Sequence, residues 1–454
     1  MLKTLKNAWR IPELRSKLLF TLLIIVLYRL GANIPVPYVA PSVFEQASLV
    51  SGGDFLYFIN MMSGGALGRA TLFALGVSPY ITSSIVMQLL TIAIPALERL
   101  AKQGDEGKKK ITAITRLVTV ALALVTGVGY AAFIISSDMA VFSGKLTSEN
   151  IFVSIFKNGY GFQFFVMVAC YCAGAALVMW LAEKINESGI GNGISIILFA
   201  NIIASLPGTA STIWRTVFTG GGFDGFSGVG LAIAISEVVI LLGLIVIIVW
   251  MSDAERRIPI QYAKRVVGRK MYGGQNTNLP LKVNMAGVMP IIFASSIVSI
   301  PSMIAGFMSE NGFTRFVQNW FSATTWPYLI VYTVLMFAFA YFYVAISFNP
   351  VEVANNIKNN GGAIPGIRSG RPTIVYIKKI LNRITLLGAM IIAFIACFPM
   401  IITIIDNMIT PGSIRFAALS FGGSSLIIVV GVALETVREL EAQMSLRNYK
   451  GFLD

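Results

Sequence analysis

The chain has 454 residues, of which 56% are hydrophobic and only 12% charged, with a net charge of +14 and no histidine. A soluble globular domain carries about 25% charged residues, so this composition excludes a soluble protein and indicates a polytopic membrane protein. The absence of histidine also removes His-based catalytic triads, HExxH zinc sites and histidine proton relays.

A hydrocarbon core about 30 Å thick needs roughly 20 apolar residues per crossing helix. Ten such stretches are predicted, at 18–34, 72–97, 114–136, 162–182, 190–206, 229–251, 284–308, 326–348, 384–405 and 414–434. No cleavable leader is expected, because the apolar run behind the basic N-terminus opens this series of spans. The second span contains Pro79 and follows a separate, interrupted apolar stretch at 55–70; the fifth is short and opens with Gly189, Gly191 and Gly193. Broken or short helices of this kind are expected to line a cavity enclosed by protein. Cys170, Cys172 and Cys397 lie in apolar stretches and read as packing residues.

Lysine and arginine bias sets the orientation. With the N-terminus inside, twenty-eight basic residues fall on inside segments and six on outside ones, with Arg29 inside the first span. Both termini are therefore expected on the cytoplasmic side. The polar loops at 252–283 and 348–383 alone carry thirteen basic residues against three acids. Such long basic loops are expected to dock something large and acidic: lipid head groups, RNA or a protein face. Neither loop is long enough to be a soluble domain, so the chain reads as one membrane-embedded domain.

No GxxxxGK[ST] phosphate loop is present. The spans are read as nearly free of acids, with Glu183, Asp253, Asp406 and Glu435 at their ends. An ion-coupled transporter normally binds its ion near the midplane, so the reading disfavours a transporter, and nothing supports an enzyme.

Five stretches carry more specific information. In Asn60–Leu90, the residues Gly64, Gly65, Gly68 and Arg69 spoil a lipid-facing helix, leaving either an external re-entrant loop or a small mobile helix that fills a cavity. The polar cluster Thr82, Ser83, Ser84 and Gln88 that follows is expected to bond between helices. In Glu187–Leu206, Ile194 and Leu198 share one helix face, which faces lipid, packs against protein or forms a pore wall. Arg256–Lys270 alternates apolar and basic residues around Pro259, as a hairpin or a merely solvated loop would. In Asn349–Ile384, Asn349–Pro350 stops a helix, Gly361–Gly362 permits a sharp turn, and Arg368 and Arg371 sit on a Gly/Pro-rich tip suited to phosphates or carboxylates. Asn284–Pro301 and Phe421–Glu435 combine small residues for close helix approach with β-branched apolar ones.

Taken in order, LYRLGANIPVP, SGGALGRATLFALG, GIGNGISI, KVNMAGVMPIIFASS, IPGIR and FGGSSLII resemble the SecY family, the central subunit of the bacterial protein-conducting channel, across nearly the whole chain. The resemblance implies an all-α fold with ten transmembrane helices in two pseudo-symmetric five-helix halves, 1–206 and 207–454, around an hourglass pore that opens sideways to lipid. It implies a pore ring of Val77, Ile81, Ile194, Leu198, Ile292 and Ile428, with Val77 and Leu198 replacing the family's usual isoleucine.

A short plug helix at about 55–69, including Asn60, Gly64, Gly65 and Arg69, is implied in the same way, as are gate-lining roles for Thr82, Gln88, Ser296 and Ile300. Arg256, Arg257, Lys264, Arg265, Arg269, Lys270, Arg368 and Arg371 are implied to dock the SecA motor or the ribosome. Ser369 stands where the family usually has proline, which implies a less rigid tip. The further expected partners are SecE, SecG, signal sequences and anionic lipids. No cofactor is expected, and the expected location is a bacterial cytoplasmic membrane. Two rivals remain: a small-solute transporter, which would need a midplane charge, and a scaffold that only anchors partners through its basic loops.

Overall fold

The computed structural model describes residues 2–39, 60, 63–136, 160–219, 228–262, 265–267, 270–272, 276–306, 312–321, 325–409 and 423–450. In chain order the helices are α1 (Leu2–Arg10), α2 (Pro12–Gly31), α3 (Ser78–Ala93), α4 (Pro95–Ala101), α5 (Asp105–Ser136), α6 (Gly161–Ser188), α7 (Gly193–Thr219) and α8 (Gly228–Asp253). Four strands follow: β1 (Glu255–Tyr262), β2 (Arg265–Val267), β3 (Lys270–Tyr272) and β4 (Asn276–Lys282). The rest comprises α9 (Met289–Gly306), α10 (Gly312–Trp320), α11 (Trp326–Ser347), α12 (Pro350–Asn359), β5 (Gly362–Ala363), α13 (Arg371–Ile409) and α14 (Gly423–Lys450).

Each of the ten apolar stretches overlaps a helix among the described residues. Among the described residues, five helices are long and apolar enough to cross a membrane by themselves. The pair α3 and α4 would make a sixth, bent by 104°. The bend falls at Ile94–Pro95, where Ile94 is extended and Pro95 opens the next helix; a proline cannot continue the hydrogen-bond ladder and pushes its predecessor out of the helical region. The second span also starts later than its hydropathy predicts, because residues 72–77 form turns and α3 begins only at Ser78. Conversely, Pro207 does not end the fifth span's helix, which runs through it to Thr219.

The chain forms two compact units. One comprises Met1–Leu231, Ser295–Tyr328 and Val432–Asp454; the other comprises Ala232–Ala294 and Leu329–Gly431. In the first unit, α5 and α6 pack against the 63–77 turns around Leu67, Ala74, Tyr130, Ile134, Met167 and Tyr171. Arg116 on α5 grips Glu183 on α6 through two bonds, Nε to Oε1 at 2.9 Å and Nη2 to Oε2 at 2.8 Å. A forked guanidinium–carboxylate pair of this kind fixes orientation as well as contact. The start of α7 passes so close to α6 that a Cβ on Gly193 would collide with the carbonyl of Ala182.

Gly193→Ala should therefore push α7 away from α6 and cost roughly 1–3 kcal/mol, as overpacking does. A fall in the thermal midpoint of the purified protein relative to wild type checks this. An unchanged midpoint would mean that α7 need not approach so closely.

The second unit shows how the two basic loops fold. β1 pairs antiparallel with β4, with Pro259 opposite Asn278, and β5 from the other loop adds to β1 through Gln261–Ala363 and Tyr262–Gly362. The alternation around Pro259 thus produces a hairpin, with the shorter β2–β3 pair between its arms. Ile258 and Ile260 point inward, where they join Ile357, Ile364, Ile377 and Leu381 in one core. Asn349 caps α12, its Oδ1 accepting from Val351 N at 3.1 Å, with Pro350 in the first turn.

Candidate functional site

Four groups of predicted site residues have defined surroundings. The first is the set of apolar positions expected to form a constriction. Val77 caps α3 and Ile81 lies one turn on, its amide donating to Val77 O at 3.0 Å. Both are buried. On α7, Asn192 Oδ1 accepts from Ile194 N at 3.0 Å and starts the helix, placing Leu198 at 1% exposure and Ile194 at intermediate burial. Within the other unit, Ile292 on α9 and Ile428 on α14 are likewise buried, as are Leu426 and Ile427. Leu198 is thus turned away from lipid, while Ile194 is only half-buried. Val246 on α8, by contrast, is 67% exposed, as a side chain facing lipid is.

The second group is the glycine-rich stretch. Residues 55–59 and 61–62 lie outside the described residues; 63–70 is a run of turns rather than a helix. Asn60 organises it: its Oδ1 accepts from Gly68 N at 2.7 Å, and its carbonyl accepts from Gly65 N at 2.8 Å and from Ser63 Oγ at 2.9 Å. Tyr130 OH donates to Leu67 O at 2.5 Å, and Arg69 Nη1 to Asn33 Oδ1 at 2.8 Å. Gly64 has φ +67 and Gly65 φ +84, both in the left-handed region that glycine populates without cost. Arg29, left as a remainder by the charge count, reaches this loop from α2: Nη1 donates to Gly64 O at 3.4 Å and Nη2 to Ala200 O at 2.6 Å. The signal that could have found it was simply an arginine inside a span.

The third group is the polar cluster on α3. Of this cluster, Ser83 alone bonds between helices among the described residues, donating to Thr115 O on α5 at 2.8 Å. Thr82 donates to Ser78 O at 3.0 Å and Gln88 Nε2 to Ser84 Oγ at 3.5 Å, both within α3. The expected interhelical role therefore narrows to Ser83, and Thr82 and Gln88 keep polar groups on half-buried or exposed positions. Ser296 and Ile300 on α9 are half-buried.

The fourth group is the basic surface. Arg256, Arg257, Arg368 and Arg371 are all exposed. Arg257 is neutralised by Glu255, with Nη2 at 2.5 Å from Oε1. The Arg368 tip is tied by Thr373 Oγ1 donating to Arg368 O at 2.9 Å, and by Ile367 N to Ile364 O and Ile374 N to Gly370 O. These bonds hold the tip with Ser369 in place of proline. Lys264 and Arg269 lie outside the described residues, and Arg265 and Lys270 fall on β2 and β3.

One sequence reading needs correction. Glu237 lies inside the sixth span, on α8, and is 1% exposed. The spans are therefore not free of interior acid, and the argument against an ion-coupled transporter from missing charge fails. A single glutamate among the apolar residues of 229–251 does not disturb the hydropathy of the segment, which is why span-finding passed over it.

Comparison with known proteins decides the class instead. The family model SecY matches residues 71–437. Protein translocase subunit SecY of Streptomyces coelicolor is 46% identical over 459 residues, covering 100% of both chains. The protein of the same name from Mycobacterium tuberculosis is 41% identical over 469 residues, again covering 100% of both. A solved structure described as a protein conducting channel superposes with a TM-score of 0.60 at 17% identity, covering 95% of this chain and 92% of that one. Sec61 in a canine ribosome–channel complex gives 0.57 at 16% identity, with 95% and 92% covered. These two likenesses establish the fold.

Proposed function

The chain belongs to the SecY family, and from that membership we propose that it forms the channel of a protein translocase. In this reading it passes unfolded secretory polypeptides outward across a bacterial cytoplasmic membrane and releases transmembrane segments sideways into lipid. The observation that carries the reading is where the apolar positions lie. Val77, Ile81 and Leu198 are buried on helices that start late or open with glycines, and Ile292 and Ile428 are buried in the other unit. Brought together as a ring, these side chains would make a narrow constriction without hydrogen-bonding partners for water. Such a constriction dewets and blocks ions, while an extended polypeptide can displace the side chains.

The remaining parts follow from that ring. The turns around Asn60, Gly64, Gly65 and Arg69 belong to the plug that seals the resting pore. Thr82, Gln88, Ser296 and Ile300 line the lateral gate, where an apolar signal sequence partitions into lipid. The chain supplies a passive path and is not itself an enzyme. Energy comes from a SecA motor or a translating ribosome, docked on the cytoplasmic surface that carries Arg256, Arg368 and Arg371, with SecE and SecG as companion subunits and anionic lipids at the membrane face. Both termini lie in the cytoplasm, as the excess of Lys and Arg on the inside segments requires.

Photo-crosslinking of a stalled secretory precursor, in membranes with the motor and ATP, tests this. A probe at Ile292 should capture the precursor, whereas a probe at the lipid-facing Val246 should not. Capture at neither site, with the precursor held at the cytoplasmic loops, would replace the channel with a docking scaffold.

A further inference from the structure

Arg29 is a half-buried cation in the first span, and among the described residues it makes no salt bridge. A charge there is costly unless protein groups solvate it. Backbone carbonyls do so: Nη2 donates to Ala200 O at 2.6 Å and to Asn201 O at 3.4 Å, and Nη1 to Gly64 O at 3.4 Å. These contacts are unequal. A charge-assisted bond at 2.6 Å is strong, whereas 3.4 Å lies beyond the usual range of about 2.7–3.2 Å and is weak. The arginine is therefore anchored on α7, just past Leu198, and touches the glycine loop lightly.

The loop's seat is shaped to this contact. A Cβ on Gly64 would lie 2.7 Å from Arg29 Nη1 and 2.9 Å from Asn201 Oδ1 and would sit at φ +67, so a side chain here strains the backbone and pushes on the guanidinium. Asn201 Nδ2 in turn donates to Tyr28 OH at 2.9 Å, and the Tyr28 ring stacks on Phe73 with centroids 5.4 Å apart. The same small cluster thus joins α2, α7 and the turns that lead into α3.

We infer that Arg29 is a positioning residue that latches the Gly64 loop onto α7 in the resting channel, through a contact weak enough to release. The inference rests on reading that loop as the plug. When the loop leaves, Arg29 keeps its short bond to Ala200, so the cation is not stranded and itself gives up only one long hydrogen bond. Such a latch biases the seated state without locking it, by about tenfold if the bond and the fit at Gly64 together are worth what one charged hydrogen bond is.

The intact channel complex, reconstituted in vesicles, offers the test through its resting halide leak. Arg29→Gln should raise the leak about tenfold, and Gly64→Ala, which prises the same contact from the other side, should match it. Arg29→Lys, which keeps the charge but loses the fork, should fall between wild type and Arg29→Gln. A covalent pin separates a latch from a general disturbance. The position of a Cβ on Gly76 is 3.6 Å from Ser63 Cβ, inside the disulfide range of about 3.5–4.5 Å. Gly76 has φ +56, where a side chain is strained. Ser63→Cys with Gly76→Cys, in a background lacking Cys170, Cys172 and Cys397, is therefore compared oxidised and reduced, and with Arg29 intact as its own reference. Oxidation should return the Arg29→Gln leak to the level of the oxidised pair with Arg29 intact. No rise in leak, or a rise that the disulfide leaves in place, overturns the latch. The plug reading is tested separately, with Arg29 intact. If the oxidised pair still translocates a precursor at the full rate, the loop need not move, and the plug reading falls together with the latch.

Discussion

Leu198→Asn is expected to make the resting channel leak ions, with conductance rising about tenfold to a hundredfold over wild type. The side chain is 1% exposed on α7, one turn beyond Ile194. A ring of aliphatic side chains excludes ions because water in the constriction has nothing to bond to. An amide of similar size supplies two donors and an acceptor. A hydrogen bond of that kind is worth roughly 1–3 kcal/mol where the alternative is none, and each 1.4 kcal/mol or so is a factor of about ten. Leu198→Ile, which keeps the aliphatic surface, should stay tight. Conductance across a planar bilayer reads the effect, and the thermal midpoint of the same variants supplies the control. A variant that loses stability but does not leak would place Leu198 in ordinary packing, away from the conduction path.

The spans were legible in the sequence because lipid leaves the backbone no alternative. With no water to bond to, each crossing segment must satisfy its own amides and show apolar side chains. That is why each apolar stretch overlaps a helix among the described residues. What hydropathy could not resolve is where chain geometry overrides it. Residues 72–77 are apolar enough to extend the second span, yet they turn, because the chain there must carry the loop from Gly64 past Tyr130 and into α3. The fifth apolar stretch ends at 206, yet α7 continues through Pro207 to Thr219.

The candidate site was legible unevenly, for the same reason. Glycines announce themselves: those around Gly193 and Gly64 sit where a Cβ would strike Ala182 O or Arg29. Contacts between distant segments do not. Nothing in the loop at 252–283 reveals that Gln261 and Tyr262 will pair with residues 362 and 363, a hundred positions away. The partners of Arg29 are backbone carbonyls, which have no side-chain signature at all. Glu237 stands in the sequence, but one acid among strongly apolar neighbours hardly lowers the hydropathy of the segment.

Reversing a charge on the cytoplasmic tip should have the other large effect. Arg368→Glu is expected to reduce motor-driven export roughly a hundredfold while the protein still assembles. Arg368 is exposed, and its backbone is held by Thr373 through its own carbonyl rather than through its side chain. The substitution therefore changes the charge offered to a partner and leaves the fold intact. Two unit charges about 5 Å apart interact by about 3 kcal/mol at an effective dielectric constant near 20, enough at about 1.4 kcal/mol per decade for the expected loss. Arg257→Glu provides the contrast within the same unit. Arg257→Glu makes the same two-unit change in charge, beside Glu255, so a docking contact specific to the tip predicts that it reduces export only a few-fold. Export of a labelled precursor into inverted vesicles, measured at two salt concentrations, separates the cases. The wild-type advantage over Arg368→Glu should shrink as salt screens the contact. Equal defects in the two variants would mean that the basic surface acts through its total charge, and would take the specific docking role away from the tip.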